Sequence, residues 1–370
     1  MADVALDPGL LLTDPSVVRV GFSTPLGDGR LRCDLCPRAC KLQDGQRGLC
    51  FVRGRIGDTL VLTTYGRSSG FCVDPIEKKP LSHFLPGTPV LSFGTAGCNL
   101  ACSFCQNWDI SKSRSDDTLA RTGSPDGIAQ AALDLGCRSV AFTYNDPVIF
   151  FEYARDVAAA CRARGLKTVA VTAGYVSDAA RAEFFACFDA ANVDLKAFTE
   201  SFYRQQTGGH LQPVLDTLRY LARETNVWTE VTTLLIPGLN DGDPELRELT
   251  AFVHDQLDPD VPLHFSAFHP DHKLLDRPRT PAATLYRARE IAREAGLRHV
   301  YLGNLWDPDG EATHCPGCGG VVIQRESYAV TGWALDNDGA CRTCGVRVAG
   351  HFEALPGVWG SRRLPVRVGD

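Results

Sequence analysis

The sequence has no long hydrophobic run, no basic excess and no export signal, and each absence removes a class of function. No segment approaches the roughly 18 apolar residues that suggest a membrane span. The opening MADVALDPGLLL carries no positive charge ahead of its short apolar run, so no signal peptide is expected. A net charge of −6, with both signs mixed along 370 residues, leaves no basic footprint for nucleic acid. A soluble, cytoplasmic protein is expected, with neither nucleic acid nor membrane as a partner. At 44% hydrophobic content, the chain can build one large core plus smaller modules.

Cysteine is abundant instead. Of the 15 cysteines, eleven fall in three groups: Cys33, Cys36, Cys40 and Cys50; Cys98, Cys102 and Cys105; and Cys315, Cys318, Cys341 and Cys344. A disulfide scaffold would be short and exported, so these spacings favour metal or iron–sulfur binding. Cys137, Cys161 and Cys187 sit beside apolar residues and are read as buried small hydrophobes. Cys72 stands alone, a free thiol or a spare ligand.

Three regions follow one another. Residues 1–88 form an N-terminal Cys-rich segment with little periodicity. From 89 to 304, short apolar runs alternate with helical stretches. Strands are predicted at 89–95, 139–144, 167–173, 192–198, 227–236 and 262–268, with a seventh candidate at 298–304. Amphipathic helices are predicted at 147–165, 244–257 and 282–296. Such βα alternation implies a parallel sheet with helices outside. The units are too few for a full eight-fold barrel, so the expected fold is α/β, a partial (β/α)6 TIM-like barrel. Its working residues should lie where strands end. Residues 305–370 break the alternation and read as a small zinc-ribbon-like domain.

The middle cysteines lie in GCNLACSFCQN, just beyond the first predicted strand of the barrel. The turn Gly94-Thr95-Ala96-Gly97 lets the backbone fold tightly before them. Structural zinc prefers four protein ligands, and a [4Fe–4S] cube is normally held by four thiolates. Three thiolates on one short loop can hold three corners of a cube and leave the fourth iron open. The competing interpretation is a zinc knuckle completed by a distant cysteine or histidine.

The outer groups each have four cysteines. CPGC and CRTC, 22 residues apart, can place two thiolates each on one ion, which favours zinc at Cys315, Cys318, Cys341 and Cys344 over an auxiliary cluster. A ribbon this small would draw much of its folding energy from that metal. The N-terminal run, C-x2-C-x3-C-x9-C, closes either zinc or a second [4Fe–4S] cluster, and spacing does not choose between them.

The CxxxCxxC loop, with Phe104 before its third cysteine, resembles the radical SAM superfamily. Further motifs arrive in order: DPIEKKPLSHFLPG, FTYNDP, VTAGY, VDLKAF, LLIPGLND, HFSAFHPD and YLGN. Together with both flanking cysteine groups they resemble the AmmeMemoRadiSam system radical SAM enzymes, relatives of the pyruvate formate-lyase activating enzymes. The resemblance covers about residues 30 to 353. It implies a [4Fe–4S] cluster at Cys98, Cys102 and Cys105 whose open iron binds S-adenosyl-L-methionine. An electron from a low-potential donor then splits the sulfonium, and the resulting 5′-deoxyadenosyl radical abstracts hydrogen from a substrate. AMMECR-like and Memo-like proteins are the implied companions.

Other site residues are carried over from the same resemblance. Phe104 is expected beside the cofactor. Thr143, Asn145 and Asp146 would receive its methionine ammonium, although Asp146 before Pro147 also reads as a helix cap. Thr172 ends the third strand. Asp194 and Lys196, near the end of the fourth, are either an internal ion pair or a contact to cofactor or substrate. His269, at the end of the sixth, is expected to face the cofactor, with His264 a weaker candidate. Thr232, Leu234 and Pro237 would line the adenine side. A glycyl-radical-enzyme activating enzyme is the alternative within the superfamily. A non-catalytic protein with three structural zinc sites is the contrasting class.

Overall fold

The computed structural model describes residues 5–7, 9–10, 12–113 and 118–369. The remaining positions of the expected N-terminal segment, residues 1–4, 8 and 11, lie outside that range.

One nine-stranded sheet organises the chain. In chain order its strands are β1 (Gly70–Pro75), β2 (Pro89–Gly94), β3 (Ser139–Phe142), β4 (Lys167–Thr172), β5 (Ala190–Asp194), β6 (Trp228–Leu235), β7 (Leu263–Ala267), β8 (Val300–Gly303) and β9 (Leu364–Val366). Spatially they run β8-β7-β6-β5-β4-β3-β2-β1-β9. From β2 to β8 every neighbouring pair is parallel, and β1 and β9 add on antiparallel. The parallel strands are apolar along most of their length because both faces are covered, as all four buried residues of β3 show.

The outer layer holds α1 (Pro125–Asp134), α2 (Phe151–Ala163), α3 (Asp178–Phe185), α4 (Gln212–Glu224), α5 (Asp243–Phe252) and α6 (Ala282–Glu294). Their starts follow local chemistry. Ser124 Oγ accepts from Gly127 N at 3.0 Å, with Pro125 opening α1. One apolar stripe of α4 (Val214, Leu215, Leu218 and Leu221) is buried.

Two expectations change. The seventh candidate strand is present as β8, so the sheet has seven parallel strands where six units were expected, and among the described residues β8 and β9 are its free edges and no barrel closes. Strands also cross the expected boundaries at 88/89 and 304/305: β1 comes from the N-terminal segment and β9 from the C-terminal one. Neither stood out in the sequence, because β1 (GFCVDP) mixes glycine, aspartate and proline into a short apolar run and β9 is three residues containing a proline.

Residues 313–333 form a small antiparallel sheet of Thr313–His314, Val321–Glu326 and Ala329–Trp333. Its Arg325 is buried against the main body, donating to Ser82 O at 2.6 Å, Thr313 Oγ1 at 2.9 Å and Glu311 O at 3.1 Å. His83 meets the same interface, with Nδ1 2.6 Å from Ala349 O and Nε2 2.6 Å from the Tyr301 hydroxyl. Cys137, Cys161 and Cys187 are buried in the main core, as expected of small hydrophobes. Cys72 lies within β1, opposite Ser92 and Pro365.

Candidate active site

The three-cysteine loop leaves the end of β2 and is fixed from several sides. Ala101 N donates to Thr207 O and Ser103 N to Gln206 O, both at 2.8 Å. Asn99 Nδ2 reaches Tyr175 O at 2.9 Å, and Arg38 Nε reaches Asn99 O at 2.7 Å. Lys112 Nζ donates to Leu100 O at 2.9 Å. Gly97 has φ +77°, and a Cβ there would lie 1.9 Å from Cys50 O, so both its conformation and the close approach require glycine.

Cys98, Cys102 and Cys105 line a cavity of about 660 Å³. Residues from β4, β5, β6, β7 and β8 line the same space, so the open sheet curves around it. The volume suits a small-molecule cofactor with a substrate beside it. Burial pushes the Cys98 thiol up to about 11, and it raises Cys102 as well, with Lys196 and Lys112 opposing that rise. Buried thiols with lysines nearby suit an anionic metal–thiolate group, because metal binding displaces the thiol protons. Cys105 Sγ lies 2.9 Å from Ser111 Oγ. The donor set therefore fits an iron–sulfur cluster.

The structure brings most of the expected residues together. Phe104, Thr143, Asn145, Asp146, Thr172, Asp194, Lys196, Thr232 and Leu234 all line the cavity. Several are already engaged. Asp146 Oδ1 accepts from Val148 N at 3.1 Å and from Thr172 Oγ1 at 2.9 Å, while Oδ2 accepts from Ala173 N at 3.0 Å. It caps the turn before α2 and ties the ends of β3 and β4 together. Desolvation holds its carboxyl above the ordinary value against these donors.

Asn145 turns its amide to the cysteine loop. Its Nδ2 donates to Thr95 Oγ1, Ala96 O and Gly97 O at 3.1, 3.3 and 2.9 Å, and its Oδ1 accepts from Thr95 N at 3.1 Å. Lys196 Nζ pairs with Asp194 Oδ2 at 2.9 Å. Burial alone would lower this lysine, but Asp194 and Cys102 raise it above the usual range. The expected strand placement of the pair is corrected: β5 ends at Asp194, and Lys196 lies in the following loop.

His269 is the clear departure. β7 ends at Ala267, Phe268 N is held by Thr280 Oγ1 at 2.9 Å, and His269 emerges exposed before Pro270, outside the cavity lining. Pro237 is also absent from the lining. His264, inside β7, does line the cavity, where Nε2 is 2.7 Å from Glu230 Oε2 and the ring stacks on Tyr301 with centroids 5.0 Å apart.

Sequence reasoning did not assign the far wall. Lys78 and Lys79 follow β1, and Arg325 and Tyr328 come from the C-terminal sheet. Lys79 Nζ is 2.6 Å from Asp74 Oδ2 and 5.0 Å from the Tyr144 ring centroid. Burial lowers Lys79 to about 8, with Asp74 opposing. The one available signal was the charged run of DPIEKK, which carried no role by itself.

The cysteines of the C-terminal quartet stand close together, with all four Sγ atoms within 4.8 Å of one another. Cys315 and Cys344 are 3.5 Å apart, and Cys318 and Cys341 are 3.8 Å apart. A tetrahedral ion with Zn–S bonds of about 2.3 Å sets S···S at about 3.8 Å, so the site fits a single ion.

The profile of the radical SAM superfamily matches residues 93–250. An uncharacterized protein of Methanocaldococcus jannaschii is 39% identical over 328 residues, covering 88% of this chain and 97% of its own length. The pyruvate formate-lyase 1-activating enzyme of Escherichia coli strain K12 is 24% identical over 175 residues, which is 46% of this chain and 70% of that enzyme. A solved radical SAM methyltransferase from Sphaerobacter thermophilus is 14% identical, with a TM-score of 0.46, over 78% of this chain and 76% of that one. Membership of the superfamily implies a [4Fe–4S] cluster and S-adenosylmethionine, and among the described residues no helix is long and apolar enough to cross a membrane. The chain belongs to the radical SAM superfamily, in one family with the archaeal protein and with similarity to the pyruvate formate-lyase activating enzymes.

Proposed function

We propose that the protein reductively cleaves S-adenosylmethionine at a [4Fe–4S] cluster held by Cys98, Cys102 and Cys105, as the radical SAM component of an AmmeMemoRadiSam system. The observation that carries this reading is the fixed loop presenting three cysteines to one cavity at the strand ends. When bound, the cluster supplies the electron that splits the sulfonium of S-adenosylmethionine into methionine and a 5′-deoxyadenosyl radical able to abstract hydrogen.

The chain's residues bind and orient. Asp146 and the Thr143 backbone offer acceptors for the methionine ammonium, and Thr172 holds that carboxylate in place. The Lys196–Asp194 pair faces the cofactor's carboxylate or ribose, and Phe104, Thr232 and Leu234 enclose its apolar parts. Lys112 and Lys196 offset the negative charge of the thiolates. The wall of Lys78, Lys79, Arg325 and Tyr328 is left for the substrate.

The ordered motifs of the sequence support the AmmeMemoRadiSam reading. AMMECR-like and Memo-like proteins are then its companions, with a low-potential electron donor. A cluster of reduced thiolates suits the cytoplasm. We also infer zinc at the C-terminal quartet. The activating-enzyme alternative is favoured by the 24% match, which leaves more than half of this chain uncovered.

Anaerobic protein, reduced in the presence of S-adenosylmethionine, should release 5′-deoxyadenosine. Cys98→Ala, Cys102→Ala and Cys105→Ala should each abolish the release, and retained cleavage in any one would sink the cluster assignment. Deuterium passing from labelled companion proteins, or from a compound they hold, into 5′-deoxyadenosine would support the system role. A glycyl radical formed on a partner enzyme would support the alternative instead.

A further inference from the structure

The N-terminal cysteines differ in arrangement from the C-terminal four. Among the described residues, no three of Cys33, Cys36, Cys40 and Cys50 bring their sulfurs within 4.8 Å of one another, whereas the C-terminal quartet does so completely. All four instead line one small enclosed cavity walled by apolar groups such as Leu35 and Ile149. A Cβ on Gly48 would lie 3.7 Å from both Cys40 Sγ and Cys50 Sγ, so the turn at Gly48 packs beside both sulfurs. A single ion draws its four sulfurs to one centre. A cube spreads them, because each thiolate binds a different iron.

A second observation points into the same cavity. Arg53 is 1% exposed and lines it. Its Nε donates to Ile149 O at 2.9 Å and its Nη2 pairs with Glu152, but among the described residues the buried Nη1 has no hydrogen-bond partner. An orphaned buried donor of this kind is costly unless an acceptor arrives. Sulfide and thiolate sulfurs of an anionic cluster are acceptors of the right charge, and Cys33, Cys36 and Cys50 lie within the electrostatic reach of this guanidinium.

The site adjoins the open one. Cys50 O packs against Gly97, and Asn99 lines the N-terminal cavity while its neighbours Cys98 and Leu100 line the larger one. We propose that Cys33, Cys36, Cys40 and Cys50 hold a second [4Fe–4S] cluster, closed by four thiolates and backed onto the loop that carries the open one. This assignment does not depend on what the open cluster does.

The test is metal analysis of the full chain carrying Cys98→Ala, Cys102→Ala and Cys105→Ala together, purified without oxygen and reconstituted with iron and sulfide. About four iron and four sulfide per chain should remain, with an EPR signal on reduction that disappears when Cys36→Ala is added. Zinc in place of iron at two equivalents per chain would overturn the proposal. Should the triple variant not fold, Mössbauer spectra of the unaltered chain decide: about eight irons, one of them shifted by S-adenosylmethionine, are expected, and about four irons, one of them shifted, would refute the second cluster.

Discussion

Asn145 shows how a residue can serve the site by bracing its backbone. Its amide satisfies the backbone of Thr95, Ala96 and Gly97, the turn that launches the cysteine loop. Asn145→Ala would strand these groups in a buried setting, at a cost of about 1–3 kcal/mol. Urea denaturation should report that loss, and iron per chain should fall although every cysteine remains. Normal stability with full iron content would show that the turn does not need this brace.

Lys79 carries a pH signature. Its value when folded is near 8 against an ordinary 10.5, so between those pH values the unfolded chain holds the extra proton. Stability should therefore rise with pH across that window, by at most about 1.4 kcal/mol per unit. Lys79→Met should flatten the rise, as read from urea midpoints between pH 8 and 10. An unchanged slope would mean that Lys79 is not the group responsible.

At the scale of elements, the C-terminal sheet is the part most dependent on metal. Its own buried cluster is only Cys315, Val322, Ile323, Leu335, Cys341 and Val348. Cys341→Ser should release one equivalent of zinc and open residues 315–350 to protease, while the cluster at Cys98, Cys102 and Cys105 keeps its iron. Docking is a separate matter, held by Arg325. Removing its guanidinium takes from the buried Glu77 the cation whose Nε lies 3.6 Å from Oε1, and leaves Ser82 O without its donor. Breaking a buried pair in this way costs about 3–5 kcal/mol. Arg325→Met should lower the thermal midpoint with zinc retained, and loss of zinc in that variant would mean that docking and metal binding are one event.

Across the whole molecule, what could be read from the sequence divides by range. The parallel strands were legible because burial on both faces writes them as short apolar runs. The cysteine loop was legible because its ligands lie within eight residues. Strand ends were less so: β5 stops at Asp194 and β7 at Ala267, which carries His269 out to solvent. The far wall was hidden because Lys79 and Arg325 are 246 residues apart and meet only through the fold. β1 and β9 were hidden for the same reason, since each is defined by its partner rather than by its own pattern.

The central claim is an open iron at the three-cysteine loop that takes S-adenosylmethionine. Its most direct test is electron–nuclear double resonance on the reduced protein with the cofactor labelled at its amino nitrogen and carboxylate oxygen. Both labels should couple to the cluster spin, and the couplings should vanish in Cys102→Ala. A reduced cluster that shows neither coupling would contradict the account.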